Sequence, residues 1–395
     1  VGAFRRLRQV KIALVYDRLY PQNIGGLERY YDALARGLSD SNSVTYITRE
    51  VDAEDPAGFR PYRVVKVAPN TPFYSARGNR RIWPTVRFGF GVFVHLLRHG
   101  RDYDVVQSAS FPFFSVIAAR LAFAFRRRHR PKLVVDWLEV WPREYWISYT
   151  GAIFGRVGYA IQQLCMWAPD LGVTYSSMHE ARLEAHRAPI LRLTGLATEM
   201  PRPTEAAQEQ PSTPSVVFAG RHIPEKQASL IPDVVQEARR SNGAVEGTII
   251  GDGPERAEIA ETIAERDLED VVRLPGFVSD DELNRALRSA SCLLLPSLRE
   301  GYGLIVIEAA AYGTPCVTID APDNAAKELI ANGVNGFVVD DWSPMNLAEA
   351  VVEVVRRGPE LRESTLAWYR DHWTELSVQS SVERLEKVYE TLAAR

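Results

Sequence analysis

"CLLLPSLREGYGLIVIEAAAYGTPCVTIDA", from Cys292 to Ala321, decides the architecture. "CLLLPS" is an apolar run of strand length, and "PCVTIDA" is another. Between them "LIVIEAAAYG" reads as a helix that starts at Leu304 and is ended by Gly313. Strand, helix and strand in this rhythm predict parallel pairing, with helices covering the sheet. The turn "GYG" aims backbone N–H groups, and the positive end of a helix dipole, at a place where an anion would sit. It also leaves Glu300 eight positions before Glu308. Carboxylates there would accept hydrogen bonds from hydroxyls, as an acidic residue does for a ribose in dinucleotide folds.

The same rhythm runs outward in both directions. Upstream come "SVVFAG", a helix around Ala228–Arg240, "GTIIGDG", a helix from Pro254, "VVRLPG" and a helix from Asp280; downstream comes "GFVVD". The first half repeats it with "VKIALVY", a helix over Glu28–Leu38, "VTYIT", "YRVVKV", "DVVQSAS", "LVVDW", a helix over Gly155–Ala168 and "LGVTYSS". "PRPTEAAQEQPSTP" breaks the pattern and reads as a linker. The expected organisation is a Rossmann-like domain over 1–200, a linker over 201–214, a second Rossmann-like domain over 215–375 and a C-terminal helix over 376–395. That helix either closes the second domain or crosses back to the first. Ligands of such sheets lie beyond the carboxyl ends of the strands, so a cleft between two facing domains is the expected site.

The bulk properties agree with two domains. The chain has 395 residues, 46% of them hydrophobic, which is long for one core. Three scattered cysteines, Cys165, Cys292 and Cys316, offer neither a zinc pattern nor a disulfide framework. Together with the absence of a signal peptide or a spanning run, they point to the cytoplasm. The net charge of −3 hides an asymmetry. Residues 1–200 hold 28 Lys and Arg against 17 Asp and Glu; the remainder holds 19 against 33. A basic first half suits an anionic surface or substrate.

Three more loops at strand ends carry candidate chemistry. In "FAGRHIPEK" Arg221 and Lys226 follow a buried strand, and a guanidinium with an ammonium suits a diphosphate. "GDGPE" permits close backbone approach. "RLPGFVSDDEL" ends a strand at Gly276 and Phe277, with Ser279 or Asp280 as a helix N-cap.

These motifs, taken in order, resemble the retaining glycosyltransferases of family 4, which have the GT-B fold. The resemblance covers nearly the whole chain and is most specific from Phe218 to Val339. It implies that Arg221 and Lys226, with Gly220 beside them, hold the pyrophosphate of a nucleotide-diphosphate sugar. Glu308 would hold its ribose, and Glu300, the first glutamate of the Glu-x7-Glu motif, its sugar. The main chain of Gly301, Tyr302, Gly303 and Leu304 would bind sugar hydroxyls and phosphate. Arg273, Leu274, Gly276 and Phe277 would flank the base. Gly25 and Gly26, in "NIGGLER", would form the family's glycine-rich loop. One departure stands out: Leu138 falls where the family commonly has His, and Asp136, Glu139 or a nearby His is the expected substitute contact.

The implied reaction moves a hexose from a UDP or GDP sugar to an acceptor hydroxyl with retention, using no cofactor and no metal. The acceptor would be a carbohydrate, a lipid-linked glycan or a small molecule; no nucleic acid is implied. Aromatic and basic residues mix in Arg80–Arg101 and Leu121–Lys132, which suits peripheral contact with an anionic membrane at the inner face of the plasma membrane. The alternative is a nucleotide-sugar-binding subunit with reduced catalysis, for which Leu138 speaks. A dinucleotide oxidoreductase is disfavoured because no G-x-G-x-x-G follows the first strand. A phosphorylase would share the fold but use free phosphate.

Overall fold

The computed structural model describes residues 9–23, 25–50, 60–71, 81–125, 130–198, 213–242 and 244–394. Most of the expected linker, residues 201–212, lies outside them, as do Arg80 and residues 126–129 of the basic cluster. The chain forms two compact units, Val1–Thr198 with Ser377–Arg395, and Glu199–Leu376. The C-terminal helix, Val378–Ala393, is therefore part of the first unit.

In the first unit the elements run β1 (Lys11–Val15), α1 (Gly26–Ser39), β2 (Ser43–Arg49), β3 (Arg63–Ala68), α2 (Trp83–His99), β4 (Val105–Ala109), α3 (Phe113–Ala124), β5 (Lys132–Trp137), α4 (Arg143–Thr150), α5 (Ala152–Met166), β6 (Leu171–Thr174), α6 (Ser177–Leu183) and β7 (Ile190–Arg192). The sheet order is β3-β2-β1-β4-β5-β6-β7, and every pair is parallel. The chain steps outward from β1 to β3, then returns to lay β4 on the other side of β1. Right-handed crossovers thus put α1 on one face and α2, α3, α4 and α5 on the other. The C-terminal helix packs on α1, so closely that a Cβ on Gly37 would lie 2.7 Å from Val382. Its entry is tied down where Val378 N donates to Ala197 O at 2.9 Å and Ser381 Oγ to Gly195 O at 2.7 Å.

Beneath that helix lies a buried polar network. The Tyr389 hydroxyl donates to Gln107 Oε1. Gln107 Nε2 donates to Asp136 Oδ2 at 2.6 Å, and the Tyr31 hydroxyl donates to the same oxygen at 2.5 Å. Asp136, Gln107, Tyr31 and Tyr389 are all fully buried.

The second unit runs β8 (Ser215–Ala219), α7 (Ile231–Asn242), β9 (Glu246–Ile250), α8 (Arg256–Glu265), β10 (Val272–Gly276), α9 (Asp280–Ser289), β11 (Cys292–Leu295), β12 (Arg299–Glu300), α10 (Leu304–Ala311), β13 (Cys316–Ile319), β14 (Asp323–Asn324), β15 (Gly336–Val339) and α11 (Pro344–Leu376). Six strands form a parallel sheet in the order β10-β9-β8-β11-β13-β15, and β12 pairs with β14 in a small sheet of its own. The core is the near-continuous apolar strands, such as Val216–Phe218 and Cys292–Leu295, under Val234, Val235, Ile259 and Val351 of the helices. Two helix starts differ from the sequence reading. Ala228–Leu230 is a 3-10 turn because Gln227 is left-handed at φ 49°, so α7 begins at Ile231. Gly253, at φ 158°, delays α8 to Arg256. Ser279 is the N-cap of α9 and closes a capping box with Glu282. Among the described residues no helix is long and apolar enough to cross a membrane.

Burial raises the Asp136 carboxyl to about 7, against the pull of hydrogen bonds from Tyr31 and Gln107. The same carboxyl in an unfolded chain titrates near ~3.9. Its stabilising contribution is therefore complete below about pH 4 and lost as pH rises through about 7, because the folded state holds a proton the unfolded state has released. Asp136→Asn should remove this slope. Urea denaturation should show the variant gaining on the wild type by on the order of 2 kcal/mol between about pH 5 and pH 8. A constant difference across that range would refute the protonated carboxyl.

Candidate functional site

In the second unit β8, β9 and β10 step one way and β11, β13 and β15 the other. The reversal falls between β8 and β11, which are hydrogen-bonded neighbours. Loops leaving the carboxyl ends of these two strands diverge and open a crevice. The loop after β8 carries Gly220, Arg221 and Lys226; the loop after β11 carries Ser297, Glu300, Gly301 and Gly303.

The crevice is organised by one ion pair. Lys226 Nζ meets Glu300 Oε1, with side chains only 18% and 13% exposed, so both charges are largely withdrawn from water. Ser297 Oγ donates to the same carboxylate oxygen at 3.2 Å, and Leu298 N donates to Glu225 O at 2.9 Å. Glu300 is held from behind by the small sheet, in which Arg299 pairs with Asp323 and Glu300 with Asn324. Arg299 also makes an ion pair with Asp323 at 3.2 Å. Asn324 is buried, donating to Thr318 Oγ1 at 3.0 Å and Ile319 O at 2.9 Å.

Arg221 is exposed at the same edge of the sheet. Gly220 N donates to Ile250 O at 3.1 Å, and Gly251 N to Gly276 O at 2.9 Å, which aligns the three neighbouring loops. Gly251 admits no side chain: at φ 125° a Cβ would lie 1.9 Å from Gly220 O. Gly303 caps α10 at φ 98° with no side-chain hydrogen bond. The first N–H groups of α10 thus point out of a helix end that carries partial positive charge. Leu304 opens that helix, and Tyr302 beside it is buried. Glu308 lies one turn further along, half-buried. Burial raises the phenol of Tyr312 against the pull of the Arg288 guanidinium, with a smaller push from the Glu308 charge.

Two expected contacts are corrected. Arg273 is the second residue of β10, about 10 Å back along the strand from Gly276. Its guanidinium reaches Glu246, the first residue of β9, at 3.7 Å. That is the amino end of the sheet, away from the crevice. Leu274 turns its side chain to the core, whereas Gly276 and the 78% exposed Phe277 do lie at the carboxyl edge. The second correction is Asp136, which is sealed inside the first unit with Tyr31 and Gln107 and is not placed to touch a donor or an acceptor.

In the first unit the strand order reverses between β1 and β4. Gly25 and Gly26 lie after β1 at that reversal and open α1, whose Glu28 takes a 2.9 Å ion pair from Arg18. Leu138 and Glu139 follow β5, and Glu139 Oε2 accepts from the Trp141 indole at 2.6 Å.

Sequence reasoning missed three supports. Arg256 donates to Leu274 O at 2.8 Å and Gly251 O at 3.4 Å, bracing the loop after β9 against β10. His222 is buried against the loop after β9, its N donating to Asp252 O at 2.9 Å, and burial followed by the Arg256 charge lowers its pKa. Ser297 holds Glu300. His222 and Ser297 lie inside quoted motifs and Arg256 directly follows one, but nothing local marks their partners. Among the described residues no three His, Cys, Asp or Glu converge as metal ligands.

Gly303→Ala should force both a disfavoured φ and a Cβ only 2.5 Å from Ala326 Cβ. A cost of about 2 kcal/mol would lower the melting temperature by about 4 °C or more. An unchanged melting temperature would show that this turn is not fixed as described.

Comparison with known proteins is consistent with this geometry. Residues 202–365 match the family of glycosyl transferases group 1. The chain is 31% identical over 150 residues to the alpha-D-kanosaminyltransferase of Streptomyces kanamyceticus, a stretch covering 38% of each protein. Stretches shared with the curated relatives span 36–55% of those relatives. Among solved structures, sucrose-phosphate synthase from Thermosynechococcus elongatus superposes with a TM-score of 0.76 at 17% identity, covering 98% of this chain and 100% of that one. Anabaena HepE in complex with UDP-glucose gives 0.70 at 16% identity, covering 97% and 100%. The second unit thus carries the match to glycosyl transferases group 1, and the chain has the GT-B fold over nearly its whole length.

Proposed function

We propose that the protein is a retaining glycosyltransferase of family 4, transferring a hexose from a UDP or GDP sugar to an acceptor hydroxyl. The observation that carries this reading is the convergence of Lys226, Glu300 and the amino end of α10 at the strand reversal of the second unit, with Arg221 at the same edge. A donor diphosphate would draw the Lys226 ammonium off Glu300 and onto its own oxygens. Glu300 would then accept from sugar hydroxyls and Glu308 from the ribose. UDP is named first because the Anabaena fold relative holds UDP-glucose.

The costly event is breaking the bond between the anomeric carbon and the diphosphate oxygen. Electrons leave with that oxygen, and the sugar becomes oxocarbenium-like. Arg221, Lys226 and the α10 amino end are fixed charges aimed at the leaving diphosphate, which stabilise it without reorganising and let the reaction run without a bound metal. Retention follows if the acceptor hydroxyl attacks from the face the diphosphate leaves, giving its proton to the departing oxygen. With Leu138 apolar and Asp136 turned inward, Glu139 is the polar side chain after β5 that would meet the donor sugar or the acceptor. The acceptor is a carbohydrate, a lipid-linked glycan or a small molecule, reached by a cytoplasmic enzyme in peripheral contact with an anionic membrane.

A panel of UDP, GDP, ADP and dTDP sugars in thermal-shift assays should pick out one base, since binding to the native state raises its stability. Arg221→Ala and Lys226→Ala should each lower kcat by about 10²-fold or more with the fold intact. Glu308→Ala should mainly raise the nucleotide Kd. Full turnover in both cation variants would overturn the assignment. Leu138 favours a second reading, a donor-binding subunit of reduced catalysis; a nucleotide-sugar shift without transfer or hydrolysis would select it.

A further inference from the structure

We propose that the outer surface of α2, α3, α4 and α5 is a docking face for an anionic lipid bilayer, entered by the α4–α5 hairpin. This deepens the reading above by naming the surface, and it rests on observations from the first unit alone.

The hairpin supplies the strongest feature. On α5 and just beyond it, Ile153, Val157, Ala160, Leu164 and Trp167 recur at helical spacing and lie within about 80° of one another around the axis. All are exposed, and Ile153 and the adjacent Phe154 are each 75% exposed. The helix is not loosely seated. Its opposite side buries Gly155, Gln162, Cys165 and Met166, and a Cβ on Gly155 or Gly158 would come within 2.5 Å of the Trp146 residue. The apolar stripe therefore faces outward by construction. At the tip, Gly151 turns the chain at φ 84°, and a Cβ there would meet no atom within 4 Å; exposed Tyr149 stands beside it.

The neighbouring helices continue the surface. Trp83, Phe90 and Leu97 stand seven residues apart on one side of α2, and Leu121 and Phe125 extend it on and after α3. Phe93 and Phe125 join the two helices edge to face at 6.5 Å. Every exposed large apolar residue described in the first unit lies between Ile82 and Trp167, and none lies on α1 or the C-terminal helix across the sheet. One face of the sheet is thus apolar on its outside and the other is not, where a water-facing helix would carry polar residues.

Charge selects lipid as the occupant. The four helices carry Arg87, Arg98, Arg120, Arg143 and Arg156 against a single acid, Glu144. Apolar side chains with Trp and Tyr among them, flanked by arginines, match the acyl boundary and the phosphate layer of an anionic leaflet. No described helix can cross a membrane, so the face would lie on the bilayer.

The test is flotation of the full chain with phosphatidylglycerol–phosphatidylcholine vesicles and with phosphatidylcholine alone. Wild type should float with the anionic vesicles at low salt and several-fold less at about 0.5 M salt. The double variant Ile153→Glu, Phe154→Glu should lose about tenfold or more of its binding. The pair Arg143→Glu, Arg156→Glu should lose binding to the anionic vesicles while keeping the wild-type melting temperature. The melting shift given by UDP should be the same in all of them, which keeps a failure of donor binding separate from a failure of docking. Wild type that stays off anionic vesicles, or a glutamate double variant that floats like wild type, overturns the proposal. So does a wild-type dimer that the double variant turns into a monomer, because the face would then belong to a second copy of the chain.

Discussion

The ion pair between Lys226 and Glu300 joins two loops that are far apart in sequence and adjacent in space. It forms where the strand order of the second unit reverses, and that reversal is a consequence of parallel pairing. Strands laid outward in both directions from a central pair leave the loops of that pair with no neighbour between them. A cation on one loop and an anion on the other then meet by topology. Each is mostly withdrawn from water, so each depends on the other: removing one partner strands a desolvated charge. The pair is also exchangeable. A diphosphate offers the ammonium a second anion, and a sugar offers the carboxylate hydroxyl donors, so a ligand can replace the contact without leaving either charge alone.

What keeps those loops in place is covalently remote and electrostatically modest. The two-residue strands β12 and β14 fix Glu300 through backbone pairing, the Arg299–Asp323 ion pair joins them, and Asn324 anchors them to β13. On the other side Arg256 ties the loop after β9 to β10 through their carbonyls. Charged side chains bonded to backbone carbonyls fix geometry as well as adding stability, because each holds a named acceptor at a set distance.

This division explains what could be read from the sequence. The long apolar strands and the periodic helices were legible because their burial is set by residues within one segment. "CLLLPS", "SVVFAG" and "LVVDW" all became strands. The glycines at 251, 276 and 303 were legible as turn points because the first two close strand-like runs and the third stands just before an apolar helix. Arg273 misled because it belongs to a motif that ends at the crevice, yet its own position is near the strand's start. Asp136 misled because it shares a segment with Glu139, and three residues in an extended chain change both the depth and the face of a side chain. β12 and β14 were illegible for the opposite reason: two residues carry no periodicity, and their pairing partner lies beyond a helix and a strand.

The first unit shows the same logic applied to its two faces. Over one face the C-terminal helix must return from the far end of the chain and settle on α1. Apolar packing sets its place where Val382 closes over Gly37. The Tyr389–Gln107–Asp136–Tyr31 chain of hydrogen bonds admits one register, in which each of these side chains finds its partner. A half-satisfied network would cost more than an apolar one, so the penalty for misplacement is steep even where the net gain is small. Among the described residues the opposite face carries no such lock on its outer surface. Its helices are pinned inward by Gly89, Gly155 and Gly158 and left apolar outward, so that face is finished only by something that brings its own covering.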